Sequence, residues 1–267
     1  MQNAYFKYIS DNNAVERLSQ LLTGKIYFSS ANNFNDPFEF SACAIERSSL
    51  TKIQAVKHGN RKKQKHLTRK QKIRARRDSR DSINLNTHKT VQDRWISEFG
   101  IYCVSKNPTN LLMWSHYSNC HKGICIGFDA NCSIFRQARK VSYTRTLPKL
   151  SQNDSADDLL EKIVFTKSED WSYEEEFRIV SRPIREDEKR FYKSQIKLSN
   201  TMKDEVADLL AKNGGPGLHE FDKNSIFVIY IGVNASADFE KKIRELADAH
   251  EIHVERLKKD PTSFSLY

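Results

Sequence analysis

The sequence predicts a mixed α+β fold in one domain, and three observations carry that prediction. IFVIYIGVN at 226–234 is an apolar run of strand length. DFEKKIRELADAH at 238–250 follows with helical spacing, and EIHVERL then returns to a strand, giving a late β–α–β order. Near the start, NAVERLSQLLT at 13–23 places Val15, Leu18, Leu21 and Leu22 on one helical stripe, and Gly24 is suited to end that helix.

The remaining elements follow in order. KIYFSS is a short strand at 25–30. NNFNDPFEF, 32–40, is a polar and aromatic loop in which Asn35, Asp36 and Pro37 supply turn chemistry. Residues 46–94 are a long polar segment rich in Lys, Arg, Gln and Ala. With few large apolar residues to dock it, this segment reads as a basic insertion: an exposed helix or hairpin, or a stretch that orders only on binding. The core resumes near Trp95, with a strand at 98–105, a loop and short helix over 107–120, and strands at 124–128 and 138–144. LPKLSQNDSADD is a surface loop that leads into LLEKIVFTKS. WSYEEEFRIVSRPI, 171–184, reads as a strand closed by Pro183. GGPG, 214–217, is a turn without the Lys and Ser or Thr of a phosphate-binding P-loop.

Charge is concentrated. The 267 residues hold 44 Lys and Arg against 34 Asp and Glu, a net of +10. Residues 61–80 alone contain eleven basic residues and one acidic residue, which leaves 33 of each sign elsewhere. The basic residues are Arg61, Lys62, Lys63, Lys65, Arg69, Lys70, Lys72, Arg74, Arg76, Arg77 and Arg80. Such a local field suits nucleic-acid phosphates or an acidic protein partner. Without aromatics in the stretch, it would grip backbone rather than stack on bases. A solubilising surface is the bland alternative.

Five cysteines at irregular spacing argue against a secreted disulfide scaffold. The opening MQNAYFKYISDNNAVERL has no apolar run behind a basic start, and no stretch approaches membrane-spanning length. A soluble, cytoplasmic protein without a membrane partner is expected. Cys120, His121 and Cys125 do not reproduce a paired zinc signature, so no metal is expected, and the thiols read as buried or inert.

Three constellations could carry chemistry. In a strand, Glu174, Glu176 and Arg178 share one face. Such a Glu pair can hold a ribose hydroxyl and stabilise positive charge at a glycosidic carbon, and Arg178 can orient a carboxylate or phosphate. A charged edge strand with a salt bridge is the structural alternative. Trp114, His116 and Tyr117 crowd into four residues, offering ring stacking and an acid or base near neutrality, or else a packed aromatic helix. In IYFSSANNFNDPFEF, 26–40, the polar candidates are Ser29, Asn35, Asp36 and Glu39, with Phe34 and Phe38 able to anchor a loop over a pocket.

Taken together, FNDPFE at 34–39, MWSHY at 113–117 with HKGICIGFD at 121–129, and WSYEEEFR at 171–178 resemble a widespread bacterial family of unknown function. An early Lys7-Tyr8 pair and the strand from Gly24 to Ser30 fit the same pattern. A more distant likeness is to the ADP-ribosyltransferase superfamily. That likeness implies an ADP-ribosyltransferase-like core and NAD as substrate. It also implies Glu176 as the catalytic glutamate, Glu174 as its helper, and Tyr117 or Tyr27 facing the nicotinamide. Tyr8, Ser29, Phe34, Asn35, Asp36, Trp114 and Arg178 are the further candidates for holding NAD.

Three functions therefore stand open: an ADP-ribosyltransferase-like enzyme acting on nucleic acid or protein, in phage defence or as a toxin; a non-catalytic nucleic-acid-binding or regulatory module; and a metal-independent nuclease pairing His116 with Glu174 or Glu176. The enzyme reading expects Glu174, Glu176, Tyr117 and the 34–39 loop to meet in one cleft. Neutralising Arg69, Lys70, Arg74, Arg76 and Arg77 together is expected to weaken nucleic-acid binding across sequences and flatten its salt dependence, as read by titration at several salt concentrations. Unchanged binding would rule out the basic stretch as the contact.

Overall fold

A computed structural model describes residues 3–43, 96–132, 134–151, 154–182 and 214–267. The stretch at 61–80 and the whole expected insertion at 46–94 lie outside the described residues, as do Trp95 and Pro183.

Strand β1 (Ala4–Ile9) ends at Ser10, whose hydroxyl accepts the Asn12 N–H and caps helix α1 (Asp11–Leu22). The helix buries Ala14, Leu18, Leu21 and Leu22. Val15, expected inside, sits at the edge of that stripe and is exposed. Gly24 closes the helix at φ +75, a left-handed conformation that costs glycine little, and donates to Leu21 O at 2.9 Å. Strand β2 (Lys25–Ser30) follows, then β3 (Gly100–Ser105). Helix α2 (Leu111–Tyr117) is capped by Asn110, whose side-chain oxygen accepts from Leu112 and Met113 N–H.

Strand β4 (Ile124–Asp129) is buried along most of its length. The strand expected at 138–144 is two short ones, β5 (Arg139–Lys140) and β6 (Ser142–Thr144). Helix α3 (Ala156–Val164) begins with a reciprocal cap between Ser155 and Asp158. Its successor β7 (Thr166–Ser168) pairs in parallel with β6. The strand expected at 171–184 is shorter than its pattern. Ser168 caps a 3-10 turn over Glu169–Glu174, Glu175 turns left-handed at φ +45, and only then does β8 (Glu176–Ser181) begin.

Beyond the GGPG turn lies a strand the sequence reading missed, β9 (Gly217–Glu220). β10 (Ile226–Ile231), α4 (Ala237–Asp248) and β11 (His253–Arg256) complete the fold, with β10 and β11 parallel.

Nine strands form one sheet in the order β11-β10-β4-β1-β3-β2-β9, with β8 against β3 and β5 against β8. The main core lies between this sheet and helices α1 and α4. Leu18, Ile126, Phe128, Phe135, Ile229 and Ile243 belong to it, and the Phe128 and Phe135 rings stack 4.6 Å apart. Each such side chain contributes roughly 1.5–3 kcal/mol by leaving water. No helix among the described residues is long and apolar enough to cross a membrane.

One irregularity places the site. β3 pairs along its whole length with β8, from Gly100 opposite Ser181 to Ser105 opposite Glu176. Its other edge is shared. β2 pairs with Gly100 and Ile101, and β1 pairs with Ser105. Among the described residues no strand covers residues 102–104 on that edge, so β1 and β2 splay apart there. Backbone groups in such a gap need other partners. Lys7 supplies one, its Nζ donating to Cys103 O at 3.0 Å.

Candidate functional site

The splay leaves a cleft of about 190 Å³. Lys7 and Tyr8 from β1, Ser29 from β2, Cys103 to Ser105 from β3, and Met113 and Tyr117 from α2 form its walls, with Phe34 and Asn35 of the following loop. Lys167, Glu174 and Glu176 form its ionic side.

Those charges belong to a buried cluster. Lys167 on β7 points its Nζ at Glu174 Oε2 (2.5 Å), Glu176 Oε2 (3.2 Å) and Glu39 Oε2 (3.5 Å). Arg178, with no exposed surface, donates from Nε to Glu176 Oε1 (2.8 Å) and from Nη2 to Glu176 Oε2 (2.9 Å). It also donates to Val164 O (2.5 Å) and pairs with Glu39. Glu39 Oε2 has no hydrogen-bond partner beyond its ionic contact with Lys167. Removing one member of such a buried pair costs about 3–5 kcal/mol, because the other charge is left unmatched.

The two β8-side glutamates differ. Burial alone would raise the Glu176 carboxyl, but Arg178 and Lys167 hold it well below the usual carboxylate range. Burial, aided by the neighbouring Glu176 charge, raises Glu174 above that range despite Lys167. Three carboxylates face two cations here, so the set carries one negative charge in excess when every member is ionised. Glu174 Oε1 meets the Tyr117 hydroxyl at 2.5 Å, and burial next to Glu174 pushes that phenol up. Lys167 is opposed by burial, yet Glu176, Glu39 and Glu174 keep its ammonium above the ordinary lysine range.

Helix α2 is tied to the 3-10 turn that carries Glu174. Asn110 Nδ2 donates to Tyr173 O (3.0 Å), and His116 Nδ1 lies 2.9 Å from the Tyr173 hydroxyl. Burial and Glu174 raise the Tyr173 phenol to about 12. The backbone N–H of Glu176 donates to the Tyr143 hydroxyl at 2.8 Å, fixing the start of β8.

Several candidates from the sequence therefore meet: Glu174, Glu176, Tyr117, Tyr8, Ser29, Phe34 and Asn35 all line the cleft. Others are elsewhere. Trp114 has no exposed surface and its indole N–H donates to Pro108 O at 2.8 Å, so it is core and cannot stack on a ligand ring. Arg178 is equally buried and holds Glu176 and Glu39, so it does not meet a ligand carboxylate or phosphate. The structural alternative of an edge strand also fails, since β8 is flanked by β3 and β5. Asp36 is buried and accepts the Phe38 N–H at 2.8 Å, a turn role. His116 is exposed among Trp171 and Tyr173 and does not line the cleft. Tyr27 lies beneath Arg17 in an adjoining hollow. Cys125 is buried as expected of a small apolar residue, whereas Cys120 is exposed.

Lys167 went unrecognised in the sequence, where a lone lysine after an apolar run signals only a solvated tip. Among the described residues, no group of three or more His, Cys, Asp or Glu is arranged to hold a metal ion.

Residues 113–179 match the family model described as a protein of unknown function, DUF2971. Over that quarter of the chain the protein is similar to that family, and the matched span holds Tyr117, Lys167, Glu174, Glu176 and Arg178. The segments 113–117, 121–129 and 171–178 fall inside it, and 34–39 falls outside. No curated protein and no solved structure matches the chain.

The cluster makes acid stability depend on Glu176. Its folded pKa lies below its unfolded one, so its contribution is complete above the ordinary glutamate value of about 4.3 and is lost as pH falls through the folded value. In urea denaturation across acidic pH, Glu176→Gln is expected to be less stable than wild type near neutrality and to converge with it in acid. Parallel curves would show that Glu176 is not held ionised.

Proposed function

We propose that the cleft is the active site of an ADP-ribosyltransferase-like enzyme, which releases nicotinamide from NAD and passes ADP-ribose to a nucleic acid or a protein. The supporting observation is the meeting of Glu174, Tyr117, Phe34 and Asn35 in one cleft from three separate stretches of chain. A pocket with aromatic walls and few convergent polar groups is the usual form of a small-molecule site.

A dinucleotide needs more room than this cleft alone. A second hollow of about 260 Å³ adjoins it and shares Lys7, Tyr8, Ser29 and Tyr117 with it. The two together fit a ligand with distinct ends.

The roles implied by the resemblance change places. Glu176 has both oxygens committed to Arg178 and Lys167, and serves to hold Lys167 in place. Glu174 has one donor on each oxygen and retains accepting capacity toward the cleft. Burial raises its carboxyl above the ordinary glutamate range, which makes it the better proton acceptor of the two glutamates. In the reaction the bond between ribose C1′ and the nicotinamide nitrogen breaks, and nicotinamide leaves neutral with the bonding pair. An acceptor nucleophile bonds to C1′ and gives its proton to Glu174. While ionised, Glu174 also offsets the positive charge that develops on the ribose.

The second reading, a non-catalytic nucleic-acid-binding or regulatory module, draws on the charge concentrated at 61–80. An assay with labelled NAD and RNA, DNA or protein acceptors separates the two. The enzyme reading expects label on an acceptor, reduced by about a hundredfold or more in Glu174→Gln. Equal labelling by the variant, or no nicotinamide release with any acceptor, would contradict it.

A further inference from the structure

The hollow beside the cleft has its own chemistry. Helix α1 contributes Asn13, Arg17 and Gln20, β2 contributes Lys25, Tyr27 and Ser29, and β1 contributes Lys7. Three cations face this space and no aspartate or glutamate lines it. That contrasts with the neighbouring cleft, whose lining includes the carboxylates of Glu174 and Glu176.

Arg17 is the key group. It makes no ion pair among the described residues, and its guanidinium lies over the Tyr27 ring at 4.3 Å from the centroid. That stacking holds the plane of the fork while leaving its N–H edges free to donate. Lys25 is paired with Glu220 at 3.0 Å, but both side chains are substantially exposed. Such a pair is worth at most about 1 kcal/mol, so an incoming anion can recruit Lys25 at little cost. Lys7 stands between the two hollows, anchored to Cys103 O and lining both.

We propose that the hollow between α1 and β2 is a subsite for the phosphates of a nucleotide, with Arg17 as its principal ligand and Lys25 and Lys7 as supporting charges. The proposal deepens the reading of the cleft as a nucleotide site and rests on it for the identity of the rest of the ligand. The pyrophosphate end lies among the cations, and the opposite end reaches Glu174 and Tyr117. A planar guanidinium suits this role because it matches two phosphate oxygens at once. The hydroxyls of Ser29 and Tyr27 stand on the same wall.

The test is calorimetric binding of inorganic pyrophosphate, ADP and adenosine to the full chain. Pyrophosphate and ADP are expected to bind, and adenosine to bind more weakly than ADP. Arg17→Ala is expected to weaken pyrophosphate and ADP roughly ten- to hundredfold, with Arg17→Lys recovering part of the loss. Glu174→Gln is expected to bind pyrophosphate as wild type does, which separates this subsite from the catalytic reading. A failed transfer assay with intact, Arg17-dependent pyrophosphate binding would sink the reaction and leave the subsite standing. The basic stretch offers a competing location, so the variant neutralised at Arg69, Lys70, Arg74, Arg76 and Arg77 is the control, and it is expected to bind pyrophosphate unchanged. Loss of binding in that variant with none in Arg17→Ala, or no pyrophosphate binding by wild type, would overturn the proposal.

Discussion

Everything at the candidate site depends on one buried ionic cluster. Lys167 and Arg178 are set among Glu39, Glu174 and Glu176, and their partners come from separate parts of the chain. Glu39 arrives from the loop after β2, Lys167 from β7, and Glu176 and Arg178 from β8. Ionising this many groups away from water is costly unless each is matched. Once matched, the same low-dielectric setting makes the loss of any one of them expensive. The cluster therefore fixes how the loop, β7 and the 3-10 turn before β8 come together beside the splayed strands.

The cluster also divides labour between neighbouring carboxylates. Glu176 is held ionised by two cations, while Glu174 carries the residual negative charge of an unbalanced set and is pushed the other way. Two carboxylates two residues apart thereby acquire different ionisation ranges from their surroundings, a pattern that often marks acid–base sites. The splay of β1 from β2 supplies the opening through which Glu174 meets the cleft. Lys7 spans that splay by capping Cys103 O, so the residue that completes the sheet also lines both hollows.

The mixed α+β class was legible in local patterns. The stripe Leu18, Leu21, Leu22 and the apolar run Ile226–Ile231 each announce one element, and the parallel pairing of β10 with β11 follows from the helix between them. The E-x-E-x-R spacing correctly joined Glu174, Glu176 and Arg178, though not by strand alternation. Glu174 belongs to a 3-10 turn, and the left-handed Glu175 brings it to the same side as Glu176. Lys167 was not legible, because nothing local distinguishes a lysine buried by distant carboxylates from one in solvent. Trp114 misled for the opposite reason: an aromatic crowded beside His116 and Tyr117 looked available, whereas tertiary packing removed it from water. Arg17 is half-legible, since its helix was foreseen but its stacking on Tyr27 depends on the turn at Gly24.

The central property of the cluster is that it drives Glu174 and Glu176 apart in ionisation. Carbon-13 NMR titration of glutamate side-chain carboxyls, assigned with Glu174→Gln and Glu176→Gln, measures this directly. Glu174 is expected to titrate above the ordinary glutamate value of about 4.3 and Glu176 below it. Two carboxyls that titrate together near that value, or in the reverse order, would contradict it.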